Sequence, residues 1–144
     1  MGYDSALMFT CSLIEYVGRE RKLRRSDVVR ALGAETIERI YRHADVLHSE
    51  LIEHVSSEFI EMVHVPMGDF DNVGSCMYNV PDYWTIGEVY ERLIEDVSGD
   101  DPVGGISKVY LSWIDDAISD YNTDFYYQPR DYLRECFFAG TVIE

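Results

Sequence analysis

The chain has 144 residues, of which 47% are hydrophobic and 27% charged, and its formal net charge is −15. That balance excludes a disordered chain, and the length suffices to bury a core without disulfide or metal staples. No run approaches the roughly 18 uninterrupted apolar residues of a membrane span, so no membrane partner is expected.

The first residues, MGYDSALMFTCSLIEYVGRER, lack the basic leader of a signal peptide and carry Asp4 early. Ala6 stands where a myristoylation signal places Ser or Thr. A cytoplasmic protein is therefore expected. Asp4 or Ser5 caps a first helix, in which Leu7, Phe9, Leu13, Ile14 and Val17 recur at near-helical spacing and Gly18 ends the clean pattern. The basic connector RERKLRR follows. Ser26 is placed to cap a short helix over DVVRAL, and Gly33 to end it. A third helix is predicted over residues 34–47, with Ile37, Ile40, Tyr41, Ala44 and Leu47 on one face. HSELIEHV is ambiguous between helix and strand, and Ser56 or Ser57 caps a short helix over EFIEMV.

Residues 67–83 break the helical pattern around Gly68, Gly74 and Pro81, with room for one short strand at CMYNV. They are read as an irregular connector between an N-terminal helical subdomain, 1–66, and an acidic C-terminal one, 84–144. Thr85 and Glu88 match a capping box that opens the next helix, whose apolar face runs from Ile86 to Val97. Asp101 and Pro102 suit the N-cap and first turn of another helix. Its body is predicted to run unbroken over 106–121, with Asp115, Asp116 and Asp120 on the face away from Trp113 and Ile114. Asn122 is expected as its left-handed C-cap, and Pro129 and Gly140 bracket the last helix. The expected fold is mainly α: a helical bundle of about six or seven helices with little strand.

Charge is distributed unevenly. Residues 1–66 carry 8 Lys+Arg against 11 Asp+Glu, a net of −3; residues 67–144 carry 4 against 16, a net of −12. The second part should repel nucleic acid and attract a basic protein. The stretch YNTDFYYQPR, residues 121–130, adds exposed-aromatic and arginine material typical of binding hot spots. Asp115, Asp116, Asp120, Phe125, Tyr126, Tyr127 and Arg130 are accordingly the partner-binding candidates. At least one of those aromatics is expected to anchor the stretch to the core.

Chemical motifs are sparse. Cys11, Cys76 and Cys136 are odd in number and far apart, which fits reduced, mostly buried thiols. Cys76, in the irregular middle, is the least core-like of the three. His43, His48, His54 and His64 form no i, i+4 pair, so no metal site is expected. DFDNVGSCMYNV imitates a calcium loop at Asp69, Asp71 and Gly74, but Val80 stands where the closing bidentate Glu is needed. No phosphate-binding or nucleophile-elbow motif occurs, so neither a cofactor nor an enzymatic activity is expected. The second reading is a DNA-binding helix-turn-helix over residues 19–45, approached by Arg21, Lys22, Arg24 and Arg25. Glu35 and Glu38 at the start of its would-be recognition helix oppose that reading.

Residues 7–61, through SLIEYV, RRSDVVRALG, IERIYRHADVLHSE and EFIE, resemble a small helical bacterial family of unknown function. Its genes often lie beside toxin-like genes, including ADP-ribosyltransferase-like ones. Residues 86–140, through IGEVYERLI and VYLSWIDDAISDYNTDFYYQPRDYLRECFFAG, resemble uncharacterised bacterial proteins from the same settings. The family pattern carries an aromatic residue where this chain has ALGAE. The resemblance implies a non-enzymatic protein-interaction module, an antitoxin-like or immunity-like partner of a basic protein, and supplies no catalytic residues. Self-association stays open on the sequence.

Overall fold

Asp4 accepts a hydrogen bond from the Leu7 amide at 3.0 Å and so starts α1, Ser5–Arg21, as its N-cap. The computed structural model describes residues 4–144. Helix α1 does not stop at Gly18 but runs to Arg21, where Lys22 takes a left-handed conformation (φ 54°) and closes it. Along it, Leu7, Phe9, Cys11, Leu13, Ile14 and Val17 are all buried. Burial on so many sides marks a central helix rather than a surface one. Its largest contact is with α6, Tyr83–Ser98, and it also meets α2, Arg25–Leu32; α3, Ala34–Arg42; α4, Ala44–Leu47; α5, Ile52–Val63; and α7, Pro102–Tyr110. Elements from both sides of residues 67–83 thus contribute to one hydrophobic core.

The remaining elements are α8, Ile114–Ile118; a 3-10 turn, Phe125–Tyr127; and α9, Arg130–Ala139. No strand occurs among the described residues, so the mainly-α bundle holds; CMYNV is irregular rather than extended. Seven of the helices have eight residues or more. The two short ones arise where predicted helices break. The helix expected over 34–47 breaks at His43, and the one expected over 106–121 breaks after Tyr110. At the second break, Ser112 donates its hydroxyl to the Val109 carbonyl (2.7 Å) and accepts the Ile114 amide (3.2 Å). That side chain offers the backbone an alternative to the helical ladder while leaving the apolar spacing intact.

Other boundaries shift for similar local reasons. Helix α2 begins at Arg25 without a capping side chain of its own; the carboxylate of Asp115 instead accepts the Ser26 amide at 3.1 Å. Helix α5 includes Ser56 and Ser57 rather than starting at them. Helix α6 starts before the Thr85–Glu88 box because Asp82 accepts the Trp84 amide at 2.7 Å. Asp101, Pro102, Pro129 and Gly140 serve at helix ends as expected. Asn122 is not left-handed; its amide group instead takes the Met77 amide (2.7 Å) and donates to the Ser75 carbonyl (3.3 Å). The connector is also tied to the end of α1, through Gly68 N to Arg21 O (2.7 Å) and Phe70 N to Lys22 O (2.8 Å).

Two glycines set the closeness of this packing. A Cβ on Gly87 of α6 would sit 2.9 Å from both the N and Cα of Ser12 on α1, a contact that only backbone movement relieves. A Cβ on Gly18 would sit 2.7 Å from Nε of Arg25, whose side chain crosses α1 there. Gly87→Ala should therefore cost about 2 kcal/mol of unfolding free energy by urea titration. A loss under about 0.5 kcal/mol would show that α1 and α6 separate freely.

Candidate functional site

Beneath one face of the bundle lies a cluster of buried charge. Glu15 of α1 and Arg25 of α2 both have fully buried side chains. Arg25 forms a bidentate pair, Nε to Oε1 and Nη2 to Oε2, each at 2.9 Å. It also donates to the Leu23 carbonyl (2.7 Å) and to Oδ1 of Asn72 (3.0 Å). Asn72 passes the link onward by donating to the Ser119 carbonyl at 2.8 Å. Oε2 of Glu15 additionally accepts from Arg19 (2.8 Å) and from the Tyr121 hydroxyl. Arg19 reaches across to the Pro81 carbonyl at 2.7 Å. A second buried carboxylate, Asp115, accepts from Tyr90 (2.6 Å) as well as from Ser26. Tyr90 in turn stacks on Tyr110 with ring centroids 4.0 Å apart.

The electrostatics follow from these partners. Burial pushes the Glu15 carboxyl up, but the Arg25 guanidinium and, beyond it, Arg19 and Tyr121 outweigh that and hold it below its ordinary value. Burial, joined by the Glu15 charge, pushes the Tyr121 phenol up. Burial also raises Asp115, only partly opposed by the Tyr90 hydroxyl and the Ser26 amide. Four donors converge on Glu15, one on Oε1 and three on Oε2, so the carboxylate acts as an acceptor hub.

Against the partner-binding candidates, the structure separates surface from core. Asp115 is 2% exposed and belongs to the buried network, so it is not surface material; one side of its helix faces α2 and α6 rather than water. Asp116 and Asp120 are exposed, and Asp116 holds Arg24 at 2.6 Å. Phe125 is buried against Trp113 and Tyr132 and is the anchor of its stretch. Tyr126 is half-buried, and Tyr127 is 67% exposed. Arg130 is held by Asp96 (2.9 Å) and Glu95 (3.1 Å), which leaves it a structural clamp between α6 and α9.

The basic approach to a helix-turn-helix fares differently from its sequence reading. Arg25 is buried, Arg24 is paired with Asp116, Arg21 donates to the Val65 carbonyl at 3.2 Å, and Lys22 lies 3.9 Å from Asp71. Burial takes Arg25 out of reach of a phosphate backbone, while Arg24 and Lys22, both about half exposed, lie beside carboxylates that oppose one.

Two adjoining grooves on this face share Tyr121 and Asn122. One, of about 550 Å³, runs over Phe70 and is bordered by Asp69, Asp71, Asp116 and Asp120, with Arg24 the single cation. The other, of about 700 Å³, is walled by Tyr78, Val80, Pro81, Tyr126 and Tyr127 beside Asp124. Tyr78 is not among the sequence candidates: it lies outside any periodic element, and only its 67% exposure beside Tyr127 reveals it. The Cys76 thiol faces the carbonyls of Tyr78 (3.4 Å) and Tyr121 (3.7 Å). Elsewhere, exposed His54 lies between Glu50 and Glu58 at 3.8 and 3.4 Å, an arrangement of ion pairs when the imidazole is protonated. No helix is long and apolar enough to cross a membrane among the described residues. Comparison of the chain with family models, curated proteins and solved structures gives no match.

Two predictions follow from the buried charges. Glu15→Gln should lower the unfolding free energy by about 3–5 kcal/mol, because Arg25 is left as an uncompensated buried charge. In a cycle with Arg25→Met, urea titrations should give a coupling energy above about 2 kcal/mol; simple additivity would contradict a working pair. Glu91, by contrast, is pushed up from 4.5 to about 7 by burial and by the neighbouring Glu95 carboxylate. The folded state then holds a proton that the unfolded state releases, so stability falls as pH rises between those two values. Glu91→Gln should leave stability unchanged near pH 4 and raise it by about 1–2 kcal/mol at pH 8. A variant no more stable than the parent at pH 8 would contradict that linkage.

Proposed function

We propose that the protein is a non-enzymatic interaction module, antitoxin-like or immunity-like, whose partner is a basic protein. The observation that carries this reading is how the charge is spent. Four of the eight cations of the N-terminal segment are engaged within the chain: Arg19 and Arg25 on Glu15, Arg21 on Val65, Arg24 on Asp116. Carboxylates at Asp69, Asp120 and Asp124 stay exposed around the two grooves. Such a field raises the encounter rate with a cationic surface and disfavours phosphate backbones. The burial of Glu15 and the four donors that converge on it support a structural rather than catalytic use of this side chain.

The test is affinity capture of the tagged chain from its native cells, with the eluate quantified by mass spectrometry. The expected result is one stoichiometric basic protein that is released at high salt and weakened about tenfold or more by Asp120→Lys with Asp124→Lys. Capture of an acidic protein, or of nucleic acid alone, would overturn the reading.

A further inference from the structure

We infer that the tyrosine-walled groove receives an extended, proline-containing basic segment of the partner, not a helix or a flat folded face. This rests on the interaction-module reading and deepens it.

Among the described residues, the tyrosines whose hydroxyls form hydrogen bonds are Tyr41, Tyr90, Tyr110, Tyr121 and Tyr132. Those of Tyr16, Tyr78, Tyr83, Tyr126 and Tyr127 form none, and three of these, Tyr78, Tyr126 and Tyr127, stand on the groove wall. A phenol at an interface donates to an acceptor of the partner. A helix has already used its backbone carbonyls internally, whereas an extended or polyproline segment presents them unpaired along its length. Three free donors beside one groove therefore match an extended chain.

The ring faces point the same way. Tyr126 packs edge-on to Tyr121 and to Tyr127, with centroids 5.8 and 5.1 Å apart, and the Tyr127 ring stays exposed beside it. Aromatic-lined grooves of this kind take proline rings, whose backbone is already ordered before binding. Charge fixes the rest. Asp124 borders the groove, and Asp69, Asp71, Asp116 and Asp120 border its neighbour, against the single Arg24. A cationic side chain leaving the tyrosine groove enters that field of carboxylates. Arg24 already occupies such a position, with its guanidinium 4.8 Å from the Phe70 ring centroid and bonded to Asp116. A second copy of this chain is the wrong occupant, because each copy carries −15.

The probe is a fluorescein-labelled peptide of alternating arginine and proline, titrated against the full chain by anisotropy. A helix-forming alanine–lysine peptide of equal charge serves as the comparison. Saturable binding of the Arg-Pro peptide, roughly tenfold tighter than the helical one, is expected. Tyr78→Ser with Tyr127→Ser should weaken it roughly tenfold; both residues are exposed, so circular dichroism should stay unchanged. Equal affinity for the two peptides, no saturation up to about 1 mM, or an indifferent double variant overturns the proposal. If a basic protein is captured equally well by the parent and the double variant, the groove is refuted while the module reading stands. If the Arg-Pro peptide binds through the tyrosines but no basic protein is captured, the groove stands and the module reading falls.

Discussion

The bidentate pair between Glu15 and Arg25 is the constraint on which the rest of the structure depends. Two charges taken wholly out of water are tolerated only when every lone pair and proton finds a partner. The partners recruited here come from separate parts of the chain: Arg19 beside Glu15 on α1, Leu23 in the first turn after it, Asn72 in the connector, and Tyr121 near the C-terminal helices. The buried pair therefore ties α1, α2, the connector and the C-terminal helices together at one point. Gly18 is bare because the Arg25 side chain lies across it. Asn72 is 7% exposed, although it stands in an irregular stretch, because it bridges Arg25 to the Ser119 carbonyl.

The same saturation shapes the surface. Arg19, Arg21 and Arg25 turn to internal oxygens, and Arg24, the one cation bordering a groove, lies against Asp116. The acidity there is thus a product of how the interior is wired as much as of composition. The grooves are also held in shape before any partner arrives: Tyr121 and Asn122, common to both, are fixed by Glu15 below and by Ser75 and Met77 at the side. A preformed surface loses less conformational entropy on binding than one that must order itself.

Helical identity was legible because apolar residues such as Ile37 and Ile40, or Ile86, Tyr90 and Leu93, repeat at the period of the helix. The breaks at His43 and Ser112 were not, because apolar spacing continues through them and a serine hydroxyl that replaces a backbone bond leaves no periodic trace. The candidate surface was half legible. Composition pointed to Asp116, Asp120, Tyr126 and Tyr127, but a helical wheel cannot tell a carboxylate facing water from Asp115, which faces Tyr90 and the start of α2. Nor does a cluster of arginines announce that one of them, Arg25, is the largest fully buried side chain among the described residues. Long-range polar pairing is invisible to local pattern, and here it decides both the core and the surface.

The bond from Tyr121 to Glu15 joins residues 106 positions apart. At a synthesis rate of about 5–20 residues per second, Glu15 and Arg25 emerge on the order of 5–20 seconds before the phenol that completes their shell. Until the phenol has been made, the shell around Glu15 lacks one of its donors. Closure of that shell therefore waits on the same aromatic segment that forms the groove.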